Sequence, residues 1–291
     1  MQIIVVGAGA IGSLYGAKLA RDNDVTLIAR AEHASAINAH GLKVEGREPQ
    51  TVRVRAATHV EQLGRDALVL VTTKVPATAA ALSPLAPLIR DDTTIVSLQN
   101  GLGSEMRVRD AVGVGGVVLR GITQFGAIYE RPGVIRYMVA GHTILEQHER
   151  SHGLAQTLNA AGLDCRISPD IAADIWQKLI FNCVVNPITA IIGCEVGGIV
   201  SPGLDRLKQL VISECRAVAA AEGIHFETDL LARINEVYAG SRNIVSMLQD
   251  LRRGRPTEID YLNGVVVELA SKHGLQAPVN ASLATIIKAM E

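Results

Sequence analysis

Apolar and polar positions follow one rhythm in the first half of this chain and another in the second. Residues 3–6 (Ile-Ile-Val-Val) form a short β-branched run that ends at a glycine, as a buried parallel strand does. Residues 11–21 then place Leu14, Ala17 and Leu19 at helical spacing. Apolar runs at 25–30, 67–72 and 94–98 repeat the theme, each preceded by a helix-compatible segment. Strands alternating with helices predict right-handed βαβ units and a parallel sheet. Between 112 and 146 the pattern changes, with Gly113, Gly115, Gly116, Gly121 and Gly126 among short apolar runs. Pro132-Gly133 is a turn signal between 124–129 and 134–139, which predicts antiparallel strands extending that sheet.

From about residue 168 the period is helical throughout, over 170–186, 203–222, 227–252, 257–273 and 279–290. Ser168-Pro169-Asp170 can cap a helix, and Thr257-Glu258-Ile259-Asp260 reads as a capping box with Asp in place of the usual Glu. The expected organisation is two domains, 1–167 with a sheet and 168–291 all-helical, without internal repeats.

Composition narrows the function classes. At 291 residues the chain can bury a substantial core. A formal net charge of -1 and 3% aromatic residues favour neither nucleic acid nor an anionic membrane as partner. Cys165, Cys183, Cys194 and Cys215 show no C-x-x-C spacing and lie in apolar, helix-compatible stretches, so buried reduced thiols are expected and no metal is called for. The apolar start lacks a basic leader, and the stretch 179–192 is interrupted by Asn182, Asn186 and Pro187. A soluble cytoplasmic protein is expected.

Candidate chemistry appears first at Gly7-Ala8-Gly9-Ala10-Ile11-Gly12, between the first strand and the first helix. Gly7 permits the tight turn, Gly9 lets backbone approach a pyrophosphate, and Gly12 allows close helix–strand packing. The helix N-terminus supplies amides and a positive dipole end for the phosphates. The first domain is therefore expected to be a Rossmann-type dinucleotide-binding domain, in an α/β protein whose C-terminal domain is helical. At the end of the second strand stands Arg30 rather than an acid, which points to the 2′-phosphate of NADP(H). The competing reading makes Arg30 a surface residue and lets Glu32 hold the ribose of NAD. Lys74 and Asn100 follow two further strands, where this fold binds ligands, although Asn100-Gly101 is also an ordinary turn pair.

The second half carries a polar stripe. Lys178, Asn182 and Asn186 recur at i, i+4 and i+8 among Leu179, Ile180, Phe181 and Val184, and on a helix they span only about 80°. Such groups need partners when buried, and a polar substrate is one such partner. A snorkelling lysine is the plainer alternative. Asn243, Ser246 and Asp250 fall at i, i+3 and i+7, on what would be one helical face. Glu258 and Asp260, near a helix start, are commonplace by themselves.

Taken together, the glycine loop, Lys74, Gln99-Asn100-Gly101, Trp176-x-Lys178-Leu179-x-x-Asn182-x-x-x-Asn186-Pro187-x-Thr189-Ala190, Ser246 to Asp250, and Thr257-Glu258-Ile259-Asp260-Tyr261-x-Asn263-Gly264 resemble the ketopantoate reductase (2-dehydropantoate 2-reductase) family over essentially the whole chain. The resemblance implies NADPH-dependent reduction of the C2 ketone of ketopantoate to (R)-pantoate, in pantothenate and coenzyme A synthesis. It implies Lys178 as general acid. Glu258 would be a catalytic partner that orients the substrate hydroxyl and borders the cofactor. Asn182 and Asn186 would contact substrate, and Ser246 its carboxylate with Asn243 beside it. Lys74 and Asn100 would support cofactor and substrate, Arg30 would bind the 2′-phosphate, and Gly7, Gly9, Ala10, Ile11 and Gly12 would form the cofactor loop. Another branched 2-oxo acid is the alternative substrate. A catalytically silent NADPH sensor is disfavoured by Lys178 and Glu258 occurring together. A small-molecule substrate and a monomer or homodimer are expected.

Overall fold

The alternating runs of the first half become β1 (Gln2–Val6), α1 (Ala10–Leu19), β2 (Asp24–Ile28) and α2 (Ala31–His40) in the computed structural model, which describes residues 1–291. They are followed by β3 (Leu42–Gly46), β4 (Gln50–Val52), β5 (Arg55–Ala57), β6 (Leu68–Val71), α3 (Thr78–Leu82), β7 (Thr94–Ser97) and α4 (Ser104–Val112). Next come β8 (Val117–Thr123), β9 (Gly126–Arg131), β10 (Val134–Val139), β11 (Thr143–Glu146), α5 (Ser151–Ala160) and β12 (Cys165–Ser168). The main sheet has the order β12-β11-β8-β7-β6-β1-β2-β5, with only β8 and β11 antiparallel. Its segment from β5 to β8 reproduces the 3-2-1-4-5-6 order of a dinucleotide-binding sheet, and chain order reverses beside β1. Successive side chains of β1 serve opposite faces. Ile3 and Val5 pack with Leu14 and Tyr15 of α1, whereas Ile4 and Val6 pack with Leu82 of α3 and Val108 of α4.

The hairpin after Gln124 corrects one expectation. Strands β9 and β10 pair antiparallel as predicted, but they do not extend the main sheet. They join β3 and β4 in a separate sheet of order β4-β3-β10-β9, in which β10 runs parallel to β3. Ile135 and Tyr137 of β10 enter the core containing Leu14 and Tyr15, so burial against α1 decides where this hairpin goes. The main sheet is extended instead by β11 and β12.

The chain divides into two compact units, 1–99 with 103–171 and 100–102 with 172–291. The second contains α6 (Ile171–Ile192), α7 (Asp205–Ala221), α8 (Leu230–Tyr238), α9 (Ser246–Arg252), α10 (Asn263–Lys272) and α11 (Pro278–Met290). By length and composition α6 is apolar enough to cross a bilayer, but 67% of its most apolar window is buried, as in a core helix. The expected helix over 227–252 is two helices. Asp229 caps α8 by accepting from the Leu231 and Ala232 amides, and Gly240 (φ +67°) lies in the break before α9. The expected helix over 257–273 begins only at Asn263, after a 3-10 turn at Ile259–Tyr261. The reciprocal capping box does not form: Thr257 Oγ1 accepts from the Ile259 amide (3.2 Å), and the other groups of the motif turn to the C-terminal helix. The Thr257 amide and hydroxyl donate to Glu291 Oε1 (2.8 and 2.7 Å), and Asp260 pairs with Lys288 at 2.8 Å. All four cysteines are free thiols, but Cys165 lies on a strand rather than in the helical setting expected, and Cys194 is only half-buried, past the end of α6.

Candidate active site

In the first unit the glycine loop is built by crowding on one side and openness on the other. Gly7 has φ +93°, and a Cβ there would lie 2.5 Å from Thr73 Cγ2. A Cβ on Gly12 would lie 2.4 Å from Thr72 Oγ1 and 2.5 Å from Gly7 O, so this glycine lets α1 approach the end of β6. Gly9 differs, being exposed, and a Cβ there would meet no atom nearer than Gly7 O at 3.9 Å. It is the N-cap of α1, has no side-chain cap bond, and precedes a first turn without acidic residues. The amides of Ala10, Ile11 and Gly12 thus open a ten-residue helix with no capping side chain and no acidic residue in its first turn. This cradle fits a pyrophosphate.

The amides of Gly7 and Ala8 both donate to Ile28 O (3.1 and 2.9 Å), which fastens the loop to the end of β2. Two residues further on, Arg30 is the exposed N-cap of α2, and Glu32 is exposed in its first turn. Thr72 at the end of β6 donates through its hydroxyl to Gly7 O (2.9 Å), and exposed Lys74 follows as N-cap of a short 3-10 turn.

Three buried residues without an assigned role from sequence tie separate segments of this unit together. Gln99 Nε2 reaches Thr73 O (2.9 Å), Thr73 Oγ1 (3.1 Å) and Thr78 Oγ1 (2.7 Å), tying the end of β7 to that of β6. Arg120 on β8 is buried and donates to Ser97 O (3.0 Å), Gly121 O (2.9 Å) and Gln99 O (2.8 Å). Burial lowers its pKa to about 10, opposed by Glu105 and Glu146, and it stays charged at neutral pH. His33 is buried, with Nδ1 accepting from Gly133 N (2.8 Å) and Nε2 3.1 Å from Ser13 Oγ. Its signal in the sequence is weak, since a single histidine in a helix has many readings.

In the second unit Lys178, Asn182 and Asn186 all lie on α6, which runs unbroken through Pro187. Lys178 and Asn182 are half-buried and Asn186 is 8% exposed, so the stripe descends into the apolar core formed by Leu179, Ile180 and Val184. Asn100 Nδ2 donates to Glu258 Oε2 at 3.2 Å, joining residues 158 positions apart. Gly101 beside it (φ +82°) approaches Tyr261 O so closely that a Cβ would stand at 2.7 Å. The trio at 243, 246 and 250 does not share a helical face, which corrects the spacing argument. Ser246 is the exposed first residue of α9 and Asp250 is buried within it, whereas Asn243 precedes the helix. The Asn243 carbonyl accepts from Val196 N (2.8 Å), the first residue of the 3-10 turn that follows α6.

The family described as Ketopantoate reductase PanE/ApbA matches residues 3–150, and its C-terminal counterpart matches 170–291. The chain belongs to the ketopantoate reductase family. As a member it is an oxidoreductase. Among similar proteins, the 2-dehydropantoate 2-reductases of Pyrococcus horikoshii and Pyrococcus abyssi are 36% and 37% identical, covering 100% of this chain and 98% of each relative. A PanE/ApbA family ketopantoate reductase from Ralstonia eutropha JMP134 superposes with TM-score 0.90 at 31% identity, over 100% of this chain and 98% of that one. A D-mandelate dehydrogenase solved with NADH and anilino(oxo)acetate reaches TM-score 0.92 at 27% identity, with the same coverage.

Proposed function

We propose that this ketopantoate reductase family member reduces ketopantoate to (R)-pantoate with NADPH, in the cytoplasm, as a step of pantothenate synthesis. The observation that carries the reading is the Lys178–Asn182–Asn186 stripe on a core helix, in a chain similar end to end to 2-dehydropantoate 2-reductases. NADPH would supply the hydride for the C2 ketone. The first-turn amides of α1, at Ala10, Ile11 and Gly12, would bind its pyrophosphate, while Gly7 and Gly9 shape the loop. Arg30 would take the 2′-phosphate, and Lys74, Asn100 and Glu258 are the further residues that would hold the cofactor.

Lys178 Nζ donates a proton to the ketone oxygen as that oxygen gains negative charge. A cationic donor aimed at a developing alkoxide lowers the barrier, since it interacts more strongly with the transition state than with the ketone. Asn182 and Asn186 hydrogen-bond the substrate, with Glu258 orienting its hydroxyl. Asn100 donates to Glu258 and so presents that carboxylate in one orientation. Ser246 Oγ, exposed at the start of α9, binds the substrate carboxylate with Asn243 beside it.

Turnover of ketopantoate, 2-oxoisovalerate and an aryl 2-oxo acid, measured for wild type and Lys178→Ala, tests this. Ketopantoate is expected to be the best substrate because the hydroxyl-binding groups are left unpaired by analogues lacking that hydroxyl. Lys178→Ala is expected to lose about a hundredfold or more in kcat. Equal efficiency with 2-oxoisovalerate defeats the substrate assignment. Near-wild-type turnover by Lys178→Ala removes Lys178 from the mechanism. The second reading, an aryl or other branched 2-oxo acid with NADH, draws its support from the similarity to D-mandelate dehydrogenase.

A further inference from the structure

Helix α6 contains a gap in its own hydrogen-bond ladder. In an α-helix the carbonyl of residue 183 accepts from the amide of residue 187, and here that residue is Pro187, which has no N–H. The ring also crowds that same carbonyl. The helix nevertheless continues to Ile192, and the carbonyl has a replacement donor: Asn263 Nδ2 lies 3.0 Å from Cys183 O. Cys183 and Asn263 are both fully buried, so no water competes for this bond.

The donor is itself held by a chain of fixed polarity. Both oxygens of Glu214 accept backbone amides at the start of α11, from Val279 (2.9 Å) and Asn280 (2.9 Å). A carboxylate can only accept, so Asn280 turns Nδ2 toward Glu214 (2.7 Å) and Oδ1 toward Asn263. Asn263 Nδ2 then donates one hydrogen to Asn280 Oδ1 (2.9 Å) and the other to Cys183 O. Its own Oδ1 is buried without a donor. A buried acceptor left unmatched is costly, so the amide is oriented for its two donated bonds and not for its own satisfaction.

The gap falls inside the proposed catalytic stripe. Cys183 adjoins Asn182, Pro187 adjoins Asn186, and Lys178 lies five residues before Cys183 on the same helix. We propose that Asn263 is a positioning residue which, by replacing the amide missing at Pro187, sets the direction of α6 and thereby the alignment of Asn186 and Asn182 with Lys178. The proposal rests on the reading of that stripe as the substrate site. Asn263 touches no substrate; it acts through the carbonyl of Cys183.

The test is a double-mutant cycle on the full chain with Asn263→Ala, Pro187→Ala and the two combined, read by kcat, by KM for ketopantoate and for NADPH, and by Tm. Asn263→Ala is expected to lower kcat/KM for ketopantoate about tenfold or more, since small misplacements of aligned groups are expensive, with KM for NADPH within about twofold. In the Pro187→Ala background, where the alanine amide can take the Cys183 carbonyl, the same change is expected to cost less than about threefold. Unchanged kinetics with only a lower Tm would assign Asn263 to stability alone and overturn the proposal. So would equal penalties in the two backgrounds. If Asn263→Ala does not fold, the combined variant is expected to recover folded protein, and failure to do so also overturns it. Lys178→Ala run alongside keeps the two readings apart: if it turns over normally, the stripe is not catalytic, while the coupling between Asn263 and Pro187 remains measurable in Tm.

Discussion

Arg30 carries the cofactor assignment on one side chain. It stands exposed at the N-cap of α2, two residues beyond Ile28, whose carbonyl holds the amides of Gly7 and Ala8. A guanidinium there is suited to a phosphate on the ribose, and charge-assisted bonds of this type contribute roughly 1.5–3 kcal/mol each. Arg30→Ala is therefore expected to lower the ratio of kcat/KM for NADPH to that for NADH by about tenfold or more. An unchanged ratio in steady-state kinetics with the two coenzymes would assign the ribose to Glu32 instead. Arg30 is legible in sequence because its position follows from a strand end. Arg120 is not, since two of its carbonyl partners, Ser97 and Gln99, lie at the end of β7, and only folding turns them toward the guanidinium.

At the scale of the element, the loop between β1 and α1 separates two glycines that look alike in a motif. Gly12→Ala forces a methyl to within 2.4 Å of Thr72 Oγ1 and 2.5 Å of the Gly7 carbonyl. Overpacking of this kind costs about 1–3 kcal/mol, so a lower Tm is expected whether or not cofactor is present. Gly9→Ala meets no atom closer than 3.9 Å and should leave the Tm of the free protein near wild type. It is nevertheless expected to weaken NADPH binding about tenfold or more, because the methyl occupies space a pyrophosphate would use. Calorimetric titration and thermal melts of both variants check the contrast, and equal NADPH affinity in Gly9→Ala and wild type would contradict it. The same scale shows where periodicity misleads. Residues 227–252 keep a helical rhythm across Gly240, yet the structure makes two helices, and Asn243 leaves the face it was expected to share with Ser246.

Across the first unit, His33 joins parts of the chain that lie far apart in sequence. Its Nδ1 accepts from the Gly133 amide at the turn between β9 and β10, so the neutral ring carries its proton on Nε2 and donates it to Ser13 Oγ, which donates in turn to Ala8 O (3.2 Å). Burial lowers the His33 pKa, and a second ring proton would face the Gly133 N–H. A group with a folded pKa below its unfolded value of about 6.5 leaves stability intact above that pH. Stability falls as pH drops from about 6.5 toward the lowered folded pKa, because the unfolded chain binds the proton first. Wild type is therefore expected to lose more Tm between pH 7.5 and 5.5 than His33→Gln, a window set at about one unit either side of the unfolded pKa. Parallel slopes in the two proteins would exclude His33 as the titrating contact.

What the sequence determined by itself is what short-range physics encodes. The β-branched run of β1, the turn that only Gly7 accommodates and the three-residue polar stripe of α6 each follow from periods of two or 3.6 residues and from local sterics. From them the α/β class, the parallel sheet and the Lys178 stripe are readable in advance. Tertiary structure alone decided which distant groups meet: Asn100 with Glu258, Asn263 with Cys183, His33 with Gly133, and the β9–β10 hairpin with β3 in place of the main sheet. The reason is that a buried polar group or apolar strand face must find some partner, but its own neighbours in sequence do not say which one. That choice is made when the cores close.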